Sequence, residues 1–156
     1  PIYIVSEFIH DSGYKVALAG QGADELFGGY AKYLKMNEEE LRDSLFRDVY
    51  EISINNLERD NHIAMANSLD LRTPYLHDEL VYFALQIPSH LKICNGVRKF
   101  ILRKTAEKIG VPKEIVNVDK KAIQYSTGIS KYFEKTAKKH GMTLGDYLTY
   151  VYNRSR

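Results

Sequence analysis

Residues 20–30 read Gly20-Gln21-Gly22-Ala23-Asp24-Glu25-Leu26-Phe27-Gly28-Gly29-Tyr30, and this stretch decides how the rest of the chain is read. It follows a short apolar run, Val16-Ala17-Leu18-Ala19, which predicts a buried parallel strand. The string therefore falls where a strand ends and a helix begins. Glycines at such a junction permit positive φ and let the backbone approach a ligand closely, and the helix N-terminus that follows favours an anion. Asp24 and Glu25 stand in the first helical turn. An acid at that position either caps the helix or, among phosphate-binding amides, holds a Mg2+ ion that bridges phosphates. Residue type and spacing leave both roles open.

Outward from this turn the pattern is mostly helical. Ile2, Val5, Phe8 and Ile9 define one apolar face of a helix that Gly13 ends. Asn37 before Glu38-Glu39-Glu40 is a helix start, because its side-chain oxygen caps and the acids meet the dipole. Leu41, Leu45, Val49, Ile52 and Leu57 then line one face to about residue 57, and residues 60–67 predict a separate helix. Pro74 enforces an extended Thr73. Residues 77–87 form a further helix that stops at Pro88. Asn95-Gly96 marks a turn before a helix predicted over residues 97–109, closed by Gly110. Shorter helices follow at 128–139 and 144–152, the second capped by Thr143.

Bulk properties suit a soluble globular domain of 156 residues, with 44% hydrophobic and 27% charged residues. A net charge of +2 creates no strong field for nucleic acid or membrane, and no apolar run approaches the ~20 residues of a membrane span. One cysteine cannot form an internal disulfide, which suits a reducing, cytoplasmic compartment. The five histidines lack metal-ligand spacing.

The Gly20–Tyr30 string resembles the Gly-Glu-Gly-Ala/Ser-Asp-Glu-Leu-Phe-Gly-Gly-Tyr segment of the glutamine-hydrolysing asparagine synthetase family, with one replacement, Gln21 for Glu. Further segments recur in the same order. Met65-Ala66-Asn67-Ser68-Leu69-Asp70-Leu71-Arg72-Thr73-Pro74-Tyr75-Leu76 is similar to the family's Met-Ala-x-Ser-x-Glu-x-Arg-x-Pro-Phe-Leu. Lys99-Phe100-Ile101-Leu102-Arg103 resembles its Lys-x-Ile-Leu-Arg helix, and Lys120-Lys121 with Gln124-Tyr125 its basic C-terminal stretch. The family's phosphate loop, Ser-Gly-Gly-x-Asp-Ser, and its glutaminase domain with an N-terminal cysteine have no counterpart here; Cys94 is internal. The resemblance implies that residues 1–156 are the C-terminal part of a synthetase domain. The fold expected is mostly α-helical with one or two short strands, the C-terminal portion of an α/β domain of the adenine-nucleotide α-hydrolase-like (ATP pyrophosphatase) class. Loss of the neighbouring strands would leave residues 16–19 with unpaired edges.

The resemblance also implies chemistry. The family activates a carboxylate, typically aspartate, with ATP and Mg2+ to an acyl-adenylate, and ammonia from glutamine then displaces AMP. Asp24 matches the Mg2+ ligand, Gly20 and Gly22 the backbone that approaches nucleotide, and Lys99 the cation set against pyrophosphate. A lysine near a helix N-terminus is electrostatically out of place, which favours a ligand role over a solvated one. Gln21 keeps the size and hydrogen bonding of the family Glu but loses its charge. Asp70 and Arg72 read as a scaffold pair, Arg98 as a poor candidate beside Lys99, and Arg103 as a partner for Glu107 at i+4. The expected partners are the small-molecule substrates, the missing N-terminal segments in cis or trans, and a second copy of the chain as a homo-oligomer. Against this enzyme stands a non-catalytic remnant serving as an interaction module, or a related amidotransferase acting on another carboxylate.

Overall fold

A computed structural model describes residues 1–119 and 123–154. They form two compact units, Ile2–Val118 and a smaller one from Asp119 onward. The first carries every element around the glycine-rich turn. Helix α1 (Ile2–Asp11) leads to strand β1 (Val16–Leu18), which pairs in parallel with β2 (Asp70–Arg72) in the register Val16↔Asp70, Ala17↔Leu71, Leu18↔Arg72. The Ala19 amide donates to the Arg72 carbonyl at 2.8 Å and extends the ladder by one rung. A parallel strand is therefore present as predicted, but it is not buried: Leu18 is 75% exposed and Val16 45%. Its apolar run matches a strand covered on both faces, and among the described residues one short neighbour is all that pairs with it.

The turn after β1 enters α2 (Ala23–Phe27), a single helical turn at the centre of the unit, against α3 (Glu38–Ile52), α5 (Asp78–Gln86) and α7 (Phe100–Lys108). Leu26 and Phe27 are buried with Ala84, and the Phe27 ring meets Tyr75 edge-on at 6.1 Å. A second cluster joins Tyr33, from the following 3-10 turn Ala31–Lys35, to Leu41 and Leu45. Helix α3 begins in a full capping box: the Asn37 side chain accepts from the Glu40 amide and the Glu40 carboxylate accepts from the Asn37 amide, each at 3.0 Å. The helix predicted to end near residue 57 does not break. No Gly or Pro interrupts it, so a π-turn at Ser53–Leu57 carries it directly into α4 (Glu58–Ala66).

The helix predicted from residue 97 starts later. Ile93–Cys94 (β3) and Val97–Arg98 (β4) form an antiparallel hairpin around Asn95-Gly96, both at positive φ, +50° and +75°, as a tight hairpin turn requires. The two residues after that turn are used in strand pairing. Lys99, at φ +55°, then swings the chain into α7. Between α5 and the hairpin lies α6 (Ser89–Lys92). The short helix α8 (Lys113–Val116) ends the larger unit. In the smaller unit, α9 (Ile123–Ser126), α10 (Ile129–Lys139) and α11 (Leu144–Arg154) follow, and the Thr143 hydroxyl caps α11 by accepting from the Asp146 amide at 3.2 Å.

One core residue is out of character. Lys92 is 2% exposed, and burial pushes its ammonium down to about 8. The folded protein thus holds this proton less firmly than the unfolded chain, so between about pH 8 and the ordinary lysine value of ~10.4 the unfolded state binds more protons and stability rises with pH. Below pH 8 the full cost of the buried charge applies. Lys92→Met is expected to raise unfolding free energy by about 1–3 kcal/mol at pH 7, with the gain shrinking as pH is raised toward 10; paired denaturation curves across that range check it.

Candidate functional site

The site is assembled where three chain segments meet the glycine-rich turn. Gly22, at φ +91° and ψ −23°, is the N-cap residue of α2. The N-cap glycine brings no side chain to cap this helix, and Asp24 stands in its first turn, not at the cap position. Its carboxylate instead reaches Lys99 at the start of α7, with Oδ1 2.9 Å from Nζ, and the two side chains are only about one-fifth exposed. Lys99 is therefore compensated at the helix end where a cation is otherwise disfavoured. At an effective dielectric of about 20 such a contact is worth several kcal/mol gross, most of it offset by desolvation.

Gly29 explains why the pair fits. A Cβ on Gly29 would lie 1.7 Å from Asp24 Oδ1 and 2.5 Å from Lys99 Cε, so the ion pair occupies the volume that any side chain at residue 29 would take. The backbone of Gly29 is also held from the hairpin, because Arg98 donates to its carbonyl at 2.9 Å. Arg98 and Lys99 are adjacent in sequence, and neighbours on one helix would diverge. They converge on the Gly28-Gly29 segment because Arg98 belongs to a strand and Lys99 takes the left-handed turn. The sequence reading named Lys99 and Asp24 but missed Gly29 as the residue that makes room for them. The Gly28-Gly29 doublet was the available signal, since a helix needs only one glycine to stop.

The two glycines matched to nucleotide approach differ in their surroundings. Around Gly20 there is open space, with nothing within 4 Å of a built Cβ. At Gly22 the same position falls 2.5 Å from Leu76 Cδ2, so positive φ and packing against Leu76 already account for glycine there. Between them, Gln21 donates from Nε2 to Asp60 Oδ2 at 2.8 Å. Asp60 is 2% exposed, and its other oxygen accepts from Arg59 at 2.8 Å. An ionised carboxylate only accepts, which fixes the amide of Gln21: nitrogen toward Asp60, carbonyl oxygen away. This brace, from α4 to the turn, was not legible from spacing.

Other assigned residues serve the scaffold. Glu25, 5% exposed, accepts from the Tyr30 hydroxyl, and burial with that bond raises the phenol well above its ordinary range. Arg72 pairs with Asp70 at 3.0 Å, as expected, on the surface. Arg103 does not pair with Glu107. Lys104 does, at 3.0 Å, while Arg103 donates to the carbonyls of Arg98, Val116 and Val118 and ties α8 to the hairpin. Lys120 and Lys121, and the side chains of Gln124 and Tyr125, lie outside the described residues. Among the described residues no three His, Cys, Asp or Glu side chains group as metal ligands. Asp24 thus offers one carboxylate, which matches Mg2+ held mainly by phosphates and water and not by a protein cage.

Two substitutions test this geometry. Gly29→Ala is expected to destabilise by about 1–3 kcal/mol, and by less in a Lys99→Ala background, because the methyl group and the lysine compete for the same space; additive costs in denaturation would remove the claim. Gln21→Glu sets a second carboxylate against Asp60. One of the two must then stay protonated, so the variant should lose stability as pH rises from about 4 to 7, by about 1–3 kcal/mol. Adding Asp60→Asn should recover most of that loss.

Comparison with known proteins points to one family. The Asparagine synthase family model matches residues 1–42 and 32–147. The chain is 40% identical over 179 aligned positions to a protein of Methanocaldococcus jannaschii named as a glutamine-hydrolyzing asparagine synthetase, covering 92% of this chain and 33% of that protein. It is 35% identical over 130 positions to an asparagine synthetase domain-containing protein of Saccharomyces cerevisiae, with coverage of 83% and 24%. With Escherichia coli asparagine synthetase B, named as glutamine-hydrolyzing, it shares 31% over 141 positions, with coverage of 88% and 25%. The chain spans a quarter to a third of the length of these relatives. With the family model matched along nearly all of its length, the chain belongs to the asparagine synthase family.

Proposed function

We propose that this chain is the C-terminal part of the synthetase domain of a glutamine-dependent, ATP-consuming ligase that converts aspartate to asparagine in the cytoplasm. The observation that carries this reading is the Asp24–Lys99 pair, seated over Gly29 at the end of the glycine-rich turn. In the parent domain, of adenine-nucleotide α-hydrolase type, β1 would continue a larger parallel sheet, which accounts for its exposed apolar residues. The reaction has two steps. A side-chain carboxylate oxygen of aspartate bonds to the α-phosphorus of ATP as the bond to pyrophosphate breaks, giving an acyl-adenylate. Ammonia derived from glutamine then bonds to the acyl carbon, AMP leaves, and the nitrogen gives up a proton.

The residues of this chain would act on charge and position. Lys99 would neutralise the leaving pyrophosphate, and a fixed cation facing developing negative charge is the kind of contribution that lowers such a barrier most. Asp24 would keep Lys99 oriented and present a carboxylate to Mg2+, which when bound supplies charge neutralisation along the phosphates. Gly20, with open space beside it, would let nucleotide approach the backbone. Gln21, with its amide turned by Asp60, would offer a neutral acceptor oxygen to an N–H group of acceptor or ammonia. That neutrality favours one second reading, a related amidotransferase with another carboxylate as acceptor.

The test is ATP–pyrophosphate exchange by the protein supplied with the segment bearing Ser-Gly-Gly-x-Asp-Ser, in cis or in trans. Exchange that depends on aspartate is expected. Asp24→Asn and Lys99→Ala should each lower it by about 10²–10³-fold while thermal unfolding shows a folded protein. Exchange with a different carboxylate selects the second reading, and none with any carboxylate rejects both in favour of a non-catalytic module.

A further inference from the structure

Helix α3, the π-turn at Ser53–Leu57 and α4 run on as one continuous helix whose two sides differ. Leu41, Leu45 and Ile52 turn inward and are buried. Along the outer side, at intervals of four residues, stand Arg42, Phe46, Tyr50, Ile54 and Glu58, all exposed. In an α-helix every fourth residue drifts about 40° around the axis, so such positions spiral away from a common line. The wider π-turn, closed by i→i+5 bonds, counters that drift and keeps Ile54 and Glu58 in line with Tyr50. A straight apolar stripe gains nothing in water until another surface covers it.

The order of residues along the stripe points to its occupant: a base, then three apolar side chains, then an acid. Turned end over end about Tyr50, the stripe complements itself, with Arg42 facing Glu58, Phe46 facing Ile54 and Tyr50 facing its own counterpart. Asp43, Phe46, Arg47 and Tyr50 line a shallow groove of about 510 Å³, and Ile54, Leu57, Glu58 and Leu71 lie along another of about 470 Å³. A twofold axis through Tyr50 exchanges the two, so each groove receives the side chain that borders the other. Arg42 and Arg47 balance Asp43 and Glu58, which gives nucleic acid or an anionic membrane no field to follow. Arg42 meets Asp43 at 3.5 Å, but between side chains so exposed that contact is worth little, and a guanidinium has donors for a second carboxylate. We propose that this face joins two copies of the chain in an isologous, near-antiparallel pair centred on Tyr50, with Arg42 of each copy against Glu58 of the other. The pairing uses none of the residues assigned to synthesis and does not depend on that reading.

Sedimentation equilibrium of the full-length protein tests it. A stripe this short makes a small interface, so a monomer–dimer dissociation constant of about 1–100 μM is expected. Arg42→Glu sets acid against acid at both ends of the pair and Glu58→Arg sets base against base, and each should weaken association by about tenfold or more. Mixed in equal amounts, the two variants regain both opposite-charge contacts and should associate about as tightly as the unaltered protein, a recovery that neither a folding defect nor a different interface produces. An unaltered protein that stays monomeric at about 500 μM, single variants that associate as well as it does, or a mixture no tighter than its components would each overturn the proposal. Another segment laid over the stripe gives the first or the second of these results.

Discussion

The arrangement of this chain turns on two opposite charges that share the space left empty by a missing side chain. Asp24 comes from a one-turn helix, Lys99 from the residue that ends a hairpin, and they meet over Gly29. Each of the three restricts the other two. A larger residue at 29 would drive the pair apart, and removal of either charge would leave the other largely buried without its partner. Because breaking a buried pair costs more than forming it gains, the contact fixes geometry more than it adds stability. It couples the glycine-rich turn to the end of a hairpin that the chain order keeps far from it.

The surroundings reinforce that geometry by hydrogen bonds at both ends of the turn. At its start, Asp60 turns the amide of Gln21 and is itself tied to Arg59. At its end, Arg98 grips the Gly29 carbonyl. Beneath, Leu26 and Phe27 anchor α2 in the apolar core. A helix of five residues has too few internal hydrogen bonds to persist alone, so it is these tertiary contacts that keep Asp24 in place. The residues that act on a ligand in the proposed function therefore sit on a rigid support, as positioning of a reacting group demands.

Elsewhere the same chain shows faces with no cover. Leu18 on β1 and Phe8 on α1 are strongly exposed although their pattern is that of a buried layer. Hydrophobic residues so placed lower the free energy only when another surface removes them from water. Lys92 is the inverse case, a lysine side chain 2% exposed among the apolar residues of the fold.

Sequence alone determined the parts governed by local physics. Positive φ at Gly22 and Gly28, the Asn37 cap, the Thr143 cap and the 3.6-residue spacing of Leu41 and Leu45 are short-range signals, and each is realised. The Gly20–Tyr30 string and its companion segments likewise determined the family. Tertiary structure decided what depends on contacts between distant residues. The hairpin took Val97 and Arg98 from a predicted helix because Ile93 and Cys94 were there to pair with them. Arg103 left Glu107 for backbone carbonyls of its neighbours because those carbonyls lay within reach. The meeting of Asp24 with Lys99, the Gln21–Asp60 brace and the burial of Lys92 leave no periodic trace, since they join residues whose separation along the chain bears no relation to their distance in space.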